Sequence, residues 1–218
     1  PLELLTTASD NIRSAETFRL DVMHGGLDYF VTILLNGQTP TDVAFRRAQA
    51  QYVRPDEVQG TVRVVAGIVP VDVDIYANNT QQWVRFVGTD WLLDDFAPGF
   101  SAETLIAEDS GFEAALSALT DLTYDGAESL EDGTPVYHLD GTADGASVTA
   151  LLVGMIEAEG EVPVDVYIHR EELYPVRIVI TQFELDENGD EGIITWTIDV
   201  FDVNDPPDID VPAGADES

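Results

Sequence analysis

Between Gly60 and Trp91 the chain reads GTVRVVAGIVPVDVDIYANNTQQWVRFVGTDW, and this stretch limits the available folds more than any other. Val62, Val64, Ala66 and Ile68 alternate with Thr61, Arg63, Val65 and Gly67. Beyond Pro70, Val71, Val73, Ile75 and Ala77 alternate with Asp72, Asp74 and Tyr76; Asn78-Asn79 then turns the chain and Gln81–Val87 runs back. A period of two places every second side chain on one face of a strand. The segment is therefore expected to be an antiparallel meander with one apolar and one acidic, wet face. Either protein or a ligand must cover the apolar face.

The same pattern returns in the last third. Val164, Val166 and Ile168 alternate with Asp165, Tyr167 and His169, a strand follows over Tyr174–Leu185, Asn188-Gly189 makes a hairpin turn, and Ile193–Val203 closes the sheet. Strands are also expected over Thr17–His24, Thr41–Val53, Leu122–Leu130 and Pro135–Gly141. Tyr29–Leu35 is apolar all round between Gly25-Gly26 and Asn36-Gly37; it reads either as a buried strand or as an apolar flap over a pocket. Helices are expected at Pro1–Ser14, with Leu2, Leu5, Ser9 and Ile12 on one stripe, at Ser101–Ala107, at Gly111–Leu119 behind the capping box Ser110-Gly111-Phe112-Glu113, and after Asp144, with Val148, Leu151, Leu152, Met155 and Ile156 as its apolar stripe. These elements make an α+β fold. It is a single strongly curved antiparallel sheet, a half-barrel of about nine to eleven strands, with helices packed on its concave face around an apolar cavity. Residues 1–203 form one domain, and Asn204–Ser218, rich in Pro, Asp and Gly, reads as a loose acidic tail.

Composition narrows the functions. A hydrophobic fraction of 44% over 218 residues supports a sizeable core. Forty-two acidic residues against nine arginines and no lysine give a net charge of -33, which repels nucleic acid and anionic headgroups and suits solubility or a medium where salt screens strongly. The absence of cysteine excludes a disulfide scaffold and a thiolate metal site. Tyr29–Leu35 falls far short of the ~18 apolar residues a membrane span needs. The chain starts at Pro1 rather than Met, so a signal peptide is expected to have been removed.

Catalytic signatures are missing. There is no Gly-x-Ser-x-Gly elbow, P-loop or dinucleotide fingerprint. His24, His138 and His169 share no ligand spacing, and no metal or other cofactor is expected. Asp94-Asp95 are neighbours that point to opposite faces of an extended chain, so they do not flank one bond. Asp186-x-Asn188-x-Asp190 resembles the start of a calcium loop, but its glycine is misplaced and Thr197 stands where the closing glutamate belongs. A plain hairpin turn is expected there, and no enzymatic activity.

The order of elements carries a resemblance: a helix, a strand, the Gly60–Phe86 meander, Asp90-Trp91, a helical Ser101–Leu119 stretch, the strand GTPVYHLDG at Gly133–Gly141, a helix, then Val162-Pro163-Val164-Asp165-Val166-Tyr167-Ile168. From about Thr17 to Val203 the chain resembles the LppX/LprA/LprF/LprG lipoproteins of mycobacteria, whose fold is similar to the LolA and LolB lipoprotein carriers. The Leu27–Pro40 segment is longer than the family pattern, and the acidity is greater. The resemblance implies an extracytoplasmic protein of the cell envelope, anchored through a lipid-bearing cysteine ahead of Pro1, that shelters the acyl chains of a lipid or glycolipid in a hydrophobic cavity; a monomer is expected. The expected lining is Ile33, Leu34, Val64, Ile68, Val73, Ile75, Phe86, Leu116, Leu119, Leu152 and Met155. The alternative is a non-enzymatic sensor or interaction module of the same fold with a filled core.

Overall fold

The structure, a computed structural model, describes residues 1–35, 39–94, 102–105, 115–151, 158, 160–185 and 189–215. Its strands are β1 (Thr17–Gly26), β2 (Phe30–Leu35), β3 (Thr39–Val53), β4 (Glu57–Ala66), β5 (Val69–Ala77), β6 (Gln82–Phe86), β7 (Leu92–Leu93), β8 (Thr120–Ser129), β9 (Pro135–Asp144), β10 (Glu161–His169), β11 (Pro175–Leu185) and β12 (Glu191–Phe201). Two α-helices, α1 (Leu2–Arg13) and α2 (Gly145–Leu151), and a 3-10 turn at Ala102–Leu105 complete the described elements. The strands form one antiparallel sheet in the order β7-β6-β5-β4-β3-β1-β12-β11-β10-β9-β8, with β2 paired to β3 off this path. It is not closed into a barrel. The two-residue β7 takes the number of strands to twelve, just past the expected range.

The two expected meanders are both present. They are joined by the pairing of the first strand with the last. β1 lies between β3 and β12, with Leu20 opposite Ala50 on one side and Val200 on the other, and Val22 opposite Ala48 and Ile198. On β3 a bulge between Phe45 and Arg47 inserts Arg46 into the ladder, so Phe45 joins Ala48, Ala50 and Tyr52 on the inner face. The Tyr29–Leu35 run contains strand β2, which pairs with the far end of β3, Phe30 opposite Ala44 and Leu35 opposite Thr39.

The outer face is a ladder of charge pairs. Arg63 faces Asp72 directly across β4–β5, with both nitrogens 2.7 Å from carboxylate oxygens. Arg177 faces Asp199 across β11–β12 at 2.6 and 3.0 Å. Arg85 faces Asp74 across β5–β6, and the Arg47 guanidinium donates twice to Asp21. An exposed pair such as Arg63–Asp72 adds little to stability because solvent screens it, while Asp21 is buried and Arg177–Asp199 is half-buried. The larger effect of these pairs is on register, because a slip of one residue would turn these charges inward.

Helix α1 buries Leu5, Ala8, Ser9 and Ile12 on one stripe and closes the end of the sheet where β1 begins. Asn11 Nδ2 donates to the carbonyls of Glu172 and Leu173 in the β10–β11 turn. The Arg54 guanidinium donates to the carbonyls of Arg13 and Ala15, taking up acceptors at the helix end. The expected capping box at Ser110–Glu113, the start of the helix at Ser101, and the Asp186 and Asn188 of the hairpin turn lie outside the described residues, as does the Asp95 half of the acidic pair.

The C-terminal segment is not the loose tail expected from its composition. Asn204 Oδ1 accepts from the Glu16 amide and Thr17 Oγ1 donates to the Asp205 carbonyl. Gln59 bonds the Asp210 backbone through both ends of its amide, and Arg85 Nη1 lies 3.0 Å from Asp210 Oδ2. Ile209 and Ala215 then cover Tyr76, Trp83 and Trp91 on the outer face. Side-chain amides on strands capture the backbone of a segment that has no strand partner, which local composition does not reveal.

Removal of residues 206–218 should therefore uncover Trp83, red-shift part of the tryptophan emission and cost about 1–3 kcal/mol in urea unfolding. Unchanged emission and midpoint would show that the segment does not dock in solution.

Candidate functional site

The inner face of the sheet is apolar across most of its width. From the centre outward on one side it presents Ile194, Trp196, Ile198 and Val200 of β12, Ile178 and Ile180 of β11, Val162, Val164, Val166 and Ile168 of β10, and Leu139 and Ala143 of β9, all buried in one cluster. On the other side come Phe45, Ala48 and Tyr52 of β3 and Val58 and Val64 of β4. The cover is unlike that of a sandwich, because no second sheet lies on this face among the described residues. Instead Ala102, Leu105, Ala115, Leu116, Leu119 and Val148, from the 3-10 turn, the 115–119 segment and α2, pack into the same cluster together with α1.

Near the end of the sheet away from α1 this face becomes aromatic. Trp196, 1% exposed, meets His24 at 4.9 Å, Tyr29 at 5.1 Å and Phe45 at 5.4 Å between ring centroids. Its indole nitrogen donates to Gln182 Oε1 at 2.7 Å, which meets the need of a buried N–H for a partner. His24 Nε2 is buried without a partner among the described residues. Burial first, and then the Arg46 charge, lower the His24 pKa below its ordinary value.

Of the expected lining residues, Val64, Leu116 and Leu119 are 2%, 2% and 7% exposed and share the central cluster. Val73, Ile75 and Phe86 are half-buried on the same face towards the sheet's flank, by their register with Val62, Gly60 and each other. Ile68 does not belong with them. It is 94% exposed at the tip of the β4–β5 hairpin, because Ala66 pairs with Val69 and the turn residues Gly67 and Ile68 lie outside the alternation. Ile33 and Leu34 sit on β2 opposite Thr41 and Pro40, and Leu152 and Met155 lie outside the described residues. The sequence reading passed over Trp196, Ile180, Val166 and Phe45. The alternation of the second meander would have found Val166, but Trp196 and Phe45 depend on the β1–β12 pairing and the β3 bulge.

The outer face has a different hollow. Between the C-terminal segment and the strands runs an open groove of about 700 Å³ lined by Arg19, Gln49, Gln51, Thr61, Asp74 and Arg85 among others. Its walls are polar and unsuited to hydrocarbon. His138 lies among acids on the same side, its Nε2 2.8 Å from Asp165 Oδ1 and its Nδ1 3.4 Å from Glu128. No group of three or more metal-ligating side chains occurs among the described residues, and no described helix is long and apolar enough to cross a membrane.

The half-buried His24 imidazole gives a signed pH effect. Its folded pKa lies below the unfolded value of 6.5, so the unfolded chain takes up a proton first on acidification. The stabilisation from neutral His24 is complete above about pH 6.5 and is lost as pH falls below it towards the folded pKa. A His24→Asn variant should lose less stability than the parent between pH 7.5 and 5 in urea titrations; parallel losses would show that His24 is not held neutral.

Comparison with known proteins agrees with this architecture. The family model of the LppX_LprAFG lipoproteins matches residues 5–208. The crystal structure of LprF from Mycobacterium bovis is similar with a TM-score of 0.69 at 18% identity, covering 97% of this chain and 96% of that one. The lipoprotein LppX of Mycobacterium tuberculosis is similar with a TM-score of 0.60 at 19% identity, covering 96% and 97%. No curated protein matches. With the family model spanning nearly the whole sheet, the chain belongs to the LppX/LprA/LprF/LprG lipoprotein family.

Proposed function

We propose that the protein is an extracytoplasmic lipid carrier that shelters acyl chains of a lipid or glycolipid between the inner face of the sheet and its helical cover. One observation carries this reading: among the described residues a broad apolar sheet face is covered by short helical pieces rather than by a second sheet. Short connections can part and rejoin at far smaller cost than two packed sheets, since each buries little surface of its own. Each methylene moved from water into such a space contributes about 0.8 kcal/mol, so one long acyl chain supplies roughly 10 kcal/mol before ordering costs. Binding of this kind requires no catalytic group and no cofactor. Membership of a lipoprotein family supports the reading, together with an envelope location and a lipid anchor ahead of this sequence; the carrier is proposed to act as a monomer.

In this reading Val64, Val73, Ile75, Phe86, Leu116 and Leu119 contact the hydrocarbon, and Trp196 forms part of its floor. Ile33, Leu34, Leu152 and Met155 remain candidates from the sequence.

Mass spectrometry of an organic extract of the purified protein should find a bound acyl lipid, and the delipidated protein should take up a fluorescent fatty acid. Leu119→Trp fills space at the helical cover. It should reduce uptake about tenfold or more at a stability cost of about 1–3 kcal/mol. An empty extract together with no probe uptake by the parent protein would favour a filled core and an interaction role.

A further inference from the structure

Seven of the large apolar side chains that remain exposed lie at one end of the sheet. Phe30 is 59% exposed at the start of β2, Ile68 and Val69 are 94% and 57% at the β4–β5 tip, and Val87 is 86% where β6 turns. Phe183, Leu185 and Ile193 are 67%, 66% and 47% beside the β11–β12 tip. The strand directions point all of these segments the same way, with Val87 and Phe30 set a few residues back, level with Asp72 and Ala44, and the others at or beside the tips. β1 runs from Thr17 to Gly26, and Gly26 pairs with Ile194; Leu185 pairs with Glu191, Phe30 with Ala44, and Ala66 with Val69. Helix α1 occupies the opposite end, beside Arg54 and the β10–β11 turn.

We infer that this arc of hairpin tips is a membrane-docking rim that dips into the headgroup layer of a lipid surface of low negative charge. The occupant follows from the form of the arc. Its exposed apolar residues lie on β6, β4–β5, β2 and β11–β12, spread over six strand spacings, roughly 29 Å along the sheet. Each finger offers one to three apolar side chains with polar backbone between, so there is no continuous patch of the kind a protein interface core requires. A fluid surface accommodates separated fingers, and side chains of this type enter the boundary between headgroups and acyl chains. The β6 finger carries its own backbone bonds: the Thr89 amide donates to the Phe86 carbonyl at 3.0 Å and the Phe86 amide to Thr89 Oγ1 at 3.2 Å. Insertion there strands few backbone groups.

Charge sets the lipid class. Asp72, Glu184 and Glu191 stand close behind the tips, and the chain carries -33 in all without a single lysine. A strongly anionic surface repels such a rim unless salt screens it. The inference deepens the carrier reading, on which its purpose rests: the docked end is where an acyl chain would pass between bilayer and protein without crossing water.

The test is flotation with phosphatidylcholine vesicles, using the whole chain and a triple variant, Ile68→Asp, Val87→Asp and Phe183→Asp, all at exposed positions. The parent should float with the vesicles, and the triple variant should lose about tenfold or more of its partitioning, the effect of three charges placed in the boundary layer. Val211→Asp, exposed on the C-terminal segment, should float like the parent. Vesicles rich in phosphatidylglycerol should bind the parent less at low salt and recover at 1 M salt. Uptake of a fluorescent fatty acid presented as monomer should be equal in parent and triple variant. Equal flotation of the two, or no flotation of either, overturns the rim. Vesicle-free self-association of the parent that the triple variant abolishes, seen by light scattering, overturns it in favour of an interface between copies. Rim-dependent flotation with no fatty-acid uptake supports the docking surface and removes the carrier reading alone.

Discussion

The architecture depends on the edge-to-edge pairing of β1 with β12. Without it the chain would make two smaller sheets, β7 to β1 and β12 to β8, each with a bare central edge. With it, Leu20, Val22 and His24 of β1 lie alongside Val200, Ile198 and Trp196, and one apolar face runs unbroken through the middle. The partners are separated by almost the whole chain, so their closure entropy falls due before any reward from the central core. Until residue 201 is available β1 presents open ladder groups, the usual template for aggregation. The high negative charge offers one protection during that interval, since like-charged chains avoid one another.

Scarcity of cations shapes the outer face. Among the described residues, eight of the nine arginines have a carboxylate within 4 Å: Arg13, Arg19, Arg46, Arg47, Arg54, Arg63, Arg85 and Arg177. The ninth, Arg170, lies over the Tyr137 ring. Arg63, Arg85 and Arg177 each sit directly opposite an aspartate on the neighbouring strand, where the attraction also marks register. Where no arginine is supplied, two aspartates face each other: Asp140 opposite Asp165, with His138 beside them. Asp125 nearby has its carboxyl pushed up from the usual range, first by desolvation and then by Asp140.

The sheet was legible in the sequence because period-two alternation is a local signal. Val71 to Ala77 and Val164 to Ile168 could be assigned to faces from their spacing, and the order of elements was enough to place the chain in its family. Two kinds of feature were hidden. Ile68 obeys the alternation in letters but falls in the turn, and only the Ala66–Val69 pair shows where the strand stops. Phe45 and Arg46 exchange roles through a bulge that no local residue pattern announces. The aromatic group around Trp196 draws on β1, the segment before β2, β3 and β12, a meeting fixed by long-range pairing. The C-terminal segment was misjudged for a related reason: its order comes from Gln51, Gln59 and Arg85 on distant strands, not from itself.

That segment has a mechanical consequence. It is fastened to the foot of β1 through Asn204 and Asp205 and again to β4 and β6 through Asp210. Five peptide units span at most about 18 Å, and the lateral distance from β1 to β4–β6 is roughly 10–19 Å. The tether therefore crosses from β1 to β4 with several ångströms to spare, and it lashes three neighbouring strands together from outside: parting them by more than that reserve would have to tear Asp210 from Gln59 or Asp205 from Thr17.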